Sequence, residues 1–290
     1  MAFDHKHLID ITEYSADDIM TILETAKTFK QVNERRIKKV PTLKGFTVVN
    51  MFNEPSTRTR SSFEIAEKRL SADSLNFGGS STATVKGESL VDTVKTLCSY
   101  KIDCIVVRDR WAGVPRKIAD VSGVSVIDAG DGKHQHPTQA LLDLYSIWEE
   151  KGSFDNLHVG VVGDISHSRV CGSLIPALKI MGCEVTVIAP PTLLPAYMLR
   201  IQRERFEGAP YPNLREYNLL YGLTEERDKL LKPDACVCHP GPINRGVELD
   251  SFMADHPKRS IILDQVYAGV LVRMAALYLL LGGSNDGIDA

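Results

Sequence analysis

At 290 residues the chain is long enough for two medium domains, each with a core of its own. Its 34 Lys and Arg against 37 Asp and Glu leave a net charge of −3, too near neutral for a general nucleic-acid binder or a polybasic membrane-surface protein, so any anion binding must be local. The first 30 residues hold no apolar signal-like run, no stretch approaches 18 apolar residues, and the cysteines at 98, 104, 171, 183, 236 and 238 are scattered, so we expect a soluble, cytoplasmic protein with reduced, buried thiols, no nucleic-acid partner and no membrane.

In chain order, Ser15 followed by Asp18 reads as a helix start, and the spacing of Ile19, Ile22, Leu23 and Ala26 carries that helix toward Val32. The run FTVVNMF (46–52) predicts a buried strand, followed by a helix over 56–70, a short strand near 75–77 and a helix over 89–100. CIVVR (104–108) and VSVIDAG (124–130) predict strands separated by a helix over 112–121, and a long helix follows over 136–150. Beyond the polar connector 151–156 the alternation restarts, with strands at 158–164 and 184–190 around a helix from Ser168, a strand-like CVC near 236–238, and a last apolar helix over 261–281. Strand and helix taking turns predicts an α/β fold: two doubly wound parallel-sheet domains joined by long interdomain helices, one spanning 1–146 plus the C-terminal segment 268–290, the other 147–267.

In such sheets ligands collect where strand carboxyl ends face helix amino ends. The polar residues there are Ser56, Thr57, Arg58 and Thr59 after the first strand, Lys86 before a helix, Arg108, and His136 and Gln139 opening a helix. The second half adds Arg169, Arg200 with Gln202, and His239-Pro240-Gly241. Arginines in a helix's first turn oppose the partial positive charge of its free N–H groups, and a bound anion removes the conflict. Free N–H groups, hydroxyls and a guanidinium fork together make a phosphate cradle. Taken singly, each residue also has an ordinary reading: Ser56 or Thr57 as a cap, Arg58 and Arg60 paired with Glu54 or Glu64, His136 as a capping residue, Arg169 and Arg200 as surface cations, and Lys86 solvated. No phosphate-loop or dinucleotide fingerprint is present, and the histidines at 134 and 136 are too few for a metal site, so neither metal nor cofactor is expected.

The segments FNEPSTRTRSSFE, KGESLVDT, GDGKHQHPTQALLDLY, VGDISHSRV, LRIQRER, HPGPINRGVE and LDQVYAGVLVRMAALYLLL occur in the same order in a known family: the chain resembles aspartate transcarbamoylase catalytic chains. The resemblance implies transfer of the carbamoyl group of carbamoyl phosphate to L-aspartate, a step of pyrimidine biosynthesis. It also implies that Ser56, Thr57, Arg58, Thr59 and Arg108 grip the phosphate, that His136 donates to the carbamoyl oxygen, and that Gln139 holds the carbamoyl NH2. Arg169, Arg200 and Gln202 would orient the aspartate carboxylates, with backbone carbonyls around Pro240 and Gly241 facing the reacting groups. Lys86 and Thr82 would reach a neighbouring subunit's site, which implies a homotrimer; regulatory chains or a dihydroorotase partner stay open. Ornithine transcarbamoylases share the S-T-R-T-R segment but carry H-C-L-P late in the chain, where this sequence has HPGP.

One departure from the family pattern stands out. VIAPPTLLP runs directly into AYML at 195/196, where the family has about two dozen intervening residues, and a parallel crossover needs about a dozen or more. Either the second domain is truly shortened there, or residues that belong between 195 and 196 are missing from the written sequence. The alternative to an active enzyme is a transcarbamoylase-like scaffold subunit that keeps the phosphate cradle and has lost aspartate.

Overall fold

The computed structural model describes residues 3–78, 89–190 and 214–282. The expectations for Thr82, Lys86, Arg200, Gln202 and the 195/196 junction lie outside these residues. Ser15 caps the first helix, α1 (Ala16–Glu34): its Oγ accepts from the Asp18 N–H at 3.1 Å, while the Asp18 carboxylate accepts from the Ser15 N–H at 2.9 Å. Two otherwise orphaned donors are thereby satisfied, as the sequence predicts.

The alternation continues through β1 (Thr47–Phe52), α2 (Thr57–Arg69), β2 (Asp73–Phe77), α3 (Leu90–Ser99), β3 (Cys104–Asp109), α4 (Val114–Ser122) and β4 (Ser125–Asp131). The four strands form one parallel sheet in the order β2-β1-β3-β4. Successive side chains of a strand face opposite ways. Val48, Cys104, Val106 and Ile127 accordingly enter one core with α1 and α2, while Val49, Ile105, Val107 and Val126 enter another with Val94 of α3 and Ile118 of α4. Both faces of β1, β3 and β4 are largely buried, which is why these strands read as mostly apolar runs, whereas β2 at the sheet edge is mostly exposed.

The strand order reverses between β1 and β3. The chain leaving β1 enters α2 on one face, and the chain leaving β3 enters α4 on the other. Loops diverging in this way open a crevice at the carboxyl ends of the two strands.

The chain continues with α5 (Pro137–Lys151), β5 (His158–Val162), α6 (Arg169–Ile180) and β6 (Glu184–Ile188), β5 and β6 pairing in parallel. After these come α7 (Leu214–Tyr221), the single turns α8 (Glu225–Asp228) and α9 (Ser251–Ala254), and α10 (Ile262–Leu280). The first core runs through α5 into α6 and β5, with Tyr145, Val161, Leu174 and Ala177 in the same contiguous cluster. Although α10 is apolar enough to span a bilayer by length and composition, it is mostly buried against α1, α2 and α5. Its apolarity is that of a core helix.

Two expectations are corrected. The strand expected around 236–238 is a single parallel bridge between Val237 and Ser260, because the chain turns at once: the Gly241 N–H donates to His239 Nδ1 at 2.8 Å. The six cysteines are free thiols, but only Cys104, Cys171 and Cys183 are buried; Cys98, Cys236 and Cys238 are partly exposed because their segments lie at the margins of the cores.

Candidate active site

The crevice at the β1 and β3 ends is a cavity of about 720 Å³. Ser56 occupies the N-cap position of α2, yet its side chain makes no capping hydrogen bond, and no acidic residue stands in the first turn. The ordinary capping role is thus unrealised. The first intrahelical bond runs from the Arg60 N–H to the Ser56 carbonyl, so the N–H groups of Thr57, Arg58 and Thr59 have no acceptor within the helix and sit at its positive pole.

The neighbouring arginines behave differently. Arg60 pairs with Glu64 at 3.0 Å across one helical turn. Arg58 lies instead against the 239–242 turn, where a Cβ on Gly241 would fall 3.2 Å from Arg58 Cζ and Nη1. Glu54 reaches across the site to more distant partners. Its Oε1 and Oε2 each accept from Arg169, the first residue of α6, at 2.7 Å, and Oε1 also accepts from Arg108 Nη2 at 3.4 Å. Arg169 is therefore no surface cation; only 5% of it is exposed. Arg108, near the end of β3, also donates to the Ala129 carbonyl at 3.2 Å. Gly130, with φ of +118°, admits both guanidiniums: a Cβ there would meet Arg169 Nε at 3.1 Å and Arg108 Nη1 at 3.2 Å.

His136 stands at the start of α5 without capping it through its side chain. Its backbone N–H donates to Ser173 Oγ of α6 at 2.8 Å, and its ring is buried in the cavity wall. Burial, then the charges of Arg108, Arg273 and Arg169, hold its pKa well below the ordinary histidine value. The imidazole is neutral at physiological pH, suited to donating a hydrogen bond rather than a full proton. Gln139, one turn on, lines the cavity beside Pro240 and Gly241.

Several residues of this site escaped the sequence reading. Glu54 was weighed only as a local partner of Arg58 or Arg60. Arg273 lies in the middle of α10, 3% exposed, donating to Ser62 Oγ at 2.9 Å and stacked 5.1 Å over the Phe63 ring. Desolvation, with Arg108 adding to it, pushes Arg273 down to about 9, while Asp143 opposes that shift. The signal available was that Arg273 is the only charged residue between 265 and 281. Asp143 and Gln265, which with His239 tie α5, α10 and the 239–242 turn together, also went unassigned.

Of the expected site residues, Ser56, Thr57, Arg58, Thr59, Arg108, His136, Gln139, Arg169, Pro240 and Gly241 all line this one cavity. Its described lining carries Arg58, Arg108, Arg169 and Arg273 against the single carboxylate of Glu54. That excess of positive charge, behind low-dielectric walls and next to a helix amino end, concentrates small polyanions.

The chain has relatives among characterised families. Residues 6–149 match the carbamoyl-phosphate-binding domain of the aspartate/ornithine carbamoyltransferases. Solved structures do not separate the two branches: an aspartate transcarbamoylase of Trypanosoma cruzi with carbamoyl phosphate superposes with a TM-score of 0.86 at 27% identity, over 96% of this chain and 97% of that one. The ornithine carbamoyltransferase of Pyrococcus furiosus gives 0.85, also at 27%, over 98% and 100%. Sequence does separate them. The aspartate carbamoyltransferase catalytic subunit of Syntrophotalea carbinolica is 52% identical over 308 aligned positions, covering 98% of each chain.

The chain belongs to the aspartate carbamoyltransferase catalytic subunit family. The alignment runs over 308 positions, more than the 290 residues of this sequence, so it contains gaps on this chain's side.

Proposed function

We propose that this protein transfers the carbamoyl group of carbamoyl phosphate to the amino group of L-aspartate, giving N-carbamoyl-L-aspartate and phosphate. The observation that carries this reading is the single cavity uniting the α2 amino end, Arg108, neutral His136 and Arg169. The Trypanosoma cruzi relative binds carbamoyl phosphate, aspartate and N-(phosphonacetyl)-L-aspartic acid, ligands that share this anionic pattern.

The phosphate rests on the N–H groups of Thr57, Arg58 and Thr59, with the hydroxyls of Ser56, Thr57 and Thr59 and the guanidiniums of Arg58 and Arg108 around it. His136 donates to the carbamoyl oxygen, where negative charge grows as the amine attacks. A neutral donor there stabilises the developing oxyanion without first having to give up a proton. Gln139 holds the carbamoyl NH2, and Arg169 binds a carboxylate of aspartate. The amine loses its proton as the C–N bond forms; the C–O bond to phosphate breaks, and the departing phosphate takes up the proton. Holding both substrates in register accounts for several kcal/mol of the barrier.

The finer expectations belong to the same proposal. Homotrimer formation, with Thr82 and Lys86 lent to a neighbour's site, and the aspartate contacts of Arg200 and Gln202 rest on the family resemblance, and cytoplasmic location on composition. Light scattering checks the first: a trimer has about three times the 32.1 kDa chain mass.

A second reading follows from the compressed 195/196 junction in the sequence: carbamoyl phosphate binds and aspartate does not. One assay separates the two. Formation of carbamoyl-aspartate from saturating carbamoyl phosphate and L-aspartate supports the transferase, whereas carbamoyl phosphate binding without product, even at high aspartate, supports the scaffold.

A further inference from the structure

Asp143 sits in the middle of α5, fully buried and one helical turn beyond Gln139. Its Oδ1 accepts two hydrogen bonds, from Gln139 Nε2 at 2.9 Å and from Gln265 Nε2 of α10 at 2.6 Å. Gln265 Oε1 in turn accepts from the His239 backbone N–H at 2.8 Å, and His239 Nδ1 accepts from the Gly241 N–H at 2.8 Å. One carboxylate oxygen thus begins two chains of contact, both ending on residues that line the cavity.

The direction of these bonds matters. A side-chain amide has one donor end and one acceptor end. With Nε2 committed to Asp143, the Gln139 amide cannot rotate without setting its oxygen against the carboxylate, so Oε1 is the end left for a ligand. An acceptor in that place reads an N–H donor on the ligand, which a carbamoyl group has and a bare phosphate lacks.

We propose that Asp143 is a positioning residue for carbamoyl recognition, fixing Gln139 with its acceptor available to the ligand amide and anchoring the 239–241 backbone through Gln265. The inference rests on the carbamoyl phosphate reading of the cavity. It does not depend on charge: Oδ2 has no partner among the described residues and can carry a proton while Oδ1 still accepts both bonds. An asparagine placed with its oxygen toward the two glutamines does the same.

The test is calorimetric titration of the full chain and its Asp143→Ala and Asp143→Asn variants with phosphonoacetamide, a stable primary amide analogue, and separately with inorganic phosphate. Losing the aligned amide contact is expected to weaken phosphonoacetamide about three- to tenfold in Asp143→Ala, the range of one net hydrogen bond, while phosphate changes by less than about twofold. Asp143→Asn is expected to bind phosphonoacetamide within about twofold of the parent. Equal weakening of both ligands, no weakening of either, or an Asp143→Asn variant as impaired as Asp143→Ala overturns the proposal. If Asp143→Ala does not fold, Asp143→Leu takes its place; if neither folds while Asp143→Asn does, the residue supports the fold and not recognition, and the proposal fails. Aspartate turnover is not read here, so failure of the transferase reading appears separately in the product assay. A parent protein that binds phosphonoacetamide no better than phosphate removes the carbamoyl reading itself.

Discussion

Glu54 and Arg169 form a two-point pair across the cavity, both carboxylate oxygens receiving a guanidinium nitrogen at 2.7 Å. The pair joins the loop after β1 to the amino end of α6, elements 115 residues apart. It also fixes the plane of Arg169, leaving its remaining donor surface to the ligand. Fork-to-fork geometry of this kind adds orientation as well as energy.

Glu54→Gln keeps the size of the side chain and removes one acceptor and the charge. Losing a charge-assisted hydrogen bond costs about 1.5–3 kcal/mol, so kcat/KM for aspartate is expected to fall at least about tenfold. Steady-state kinetics with aspartate varied at saturating carbamoyl phosphate checks this; an unchanged kcat/KM would show that the pair orients nothing.

Arg58→Ala removes an exposed side chain from the anion site. We expect activity to drop by about 10²–10³, the loss typical of one preorganised donor at developing charge. Thermal unfolding is expected to shift by less than about 2 °C, because no core contact is lost. If the variant unfolds instead, Arg58 is a structural ion-pair residue and the anion reading of the α2 amino end is wrong.

Gly130→Ala is expected to separate stability from electrostatics. Its φ of +118° disfavours any Cβ, and the added methyl would press on Arg169 Nε and Arg108 Nη1. Both the melting temperature and the affinity for inorganic phosphate should fall, the second because Arg108 is displaced; a loss of stability at unchanged phosphate affinity would mean that the two arginines accommodate the methyl in place.

Glu67 gives a pH-dependent prediction remote from the cavity. It is fully buried, its Oε2 accepting from Asn50 Nδ2 at 2.9 Å, and burial raises its pKa from 4.5 to about 7. The folded state therefore holds a proton that the unfolded state releases. This contribution is complete below about pH 4.5 and is lost as the pH rises through about 7, amounting to about 3 kcal/mol. Glu67→Gln cannot ionise and should melt higher than the parent at pH 8, with little difference at pH 4.5. Buried Asp143, also raised to about 7, titrates in both proteins and cancels in the comparison. Equal differences at the two pH values would exclude an ionisable Glu67 as the cause.

Most of the fold was legible because it depends on local patterns. The buried strands of the first sheet read as apolar runs, and the Ser15 box marks the start of α1 directly. The site was legible where the fold itself fixes it: Arg108 at the end of β3, with Ser56 and His136 at the helix starts that follow β1 and β4, share the carboxyl edge of one parallel sheet, and Arg169 opens the helix that follows β5 of the second sheet. What stayed hidden depends on distant partners. Glu54 reads as a neighbour of Arg58 and Arg60 along the chain, yet bonds across 115 residues to Arg169. Arg273 looks like a blemish in an apolar helix until α10 is packed on α2 and its guanidinium meets Ser62. Asp143 and Gln265, 122 positions apart, share one hydrogen bond that no spacing announces. The strand expected near Val237 failed for the opposite reason, since apolar composition does not register that the His239 ring folds the next residues into a turn.

The central claim is that one cavity brings a carbamoyl phosphate site and an aspartate site together. A crystal structure with N-(phosphonacetyl)-L-aspartic acid, which joins both halves in one molecule, tests it most directly. The account predicts the phosphonate on the N–H groups of 57–59 with Arg58 and Arg108, the amide oxygen toward His136, and a carboxylate on Arg169. A phosphonate seated away from the α2 amino end, or carboxylates turned away from Arg169, would contradict it.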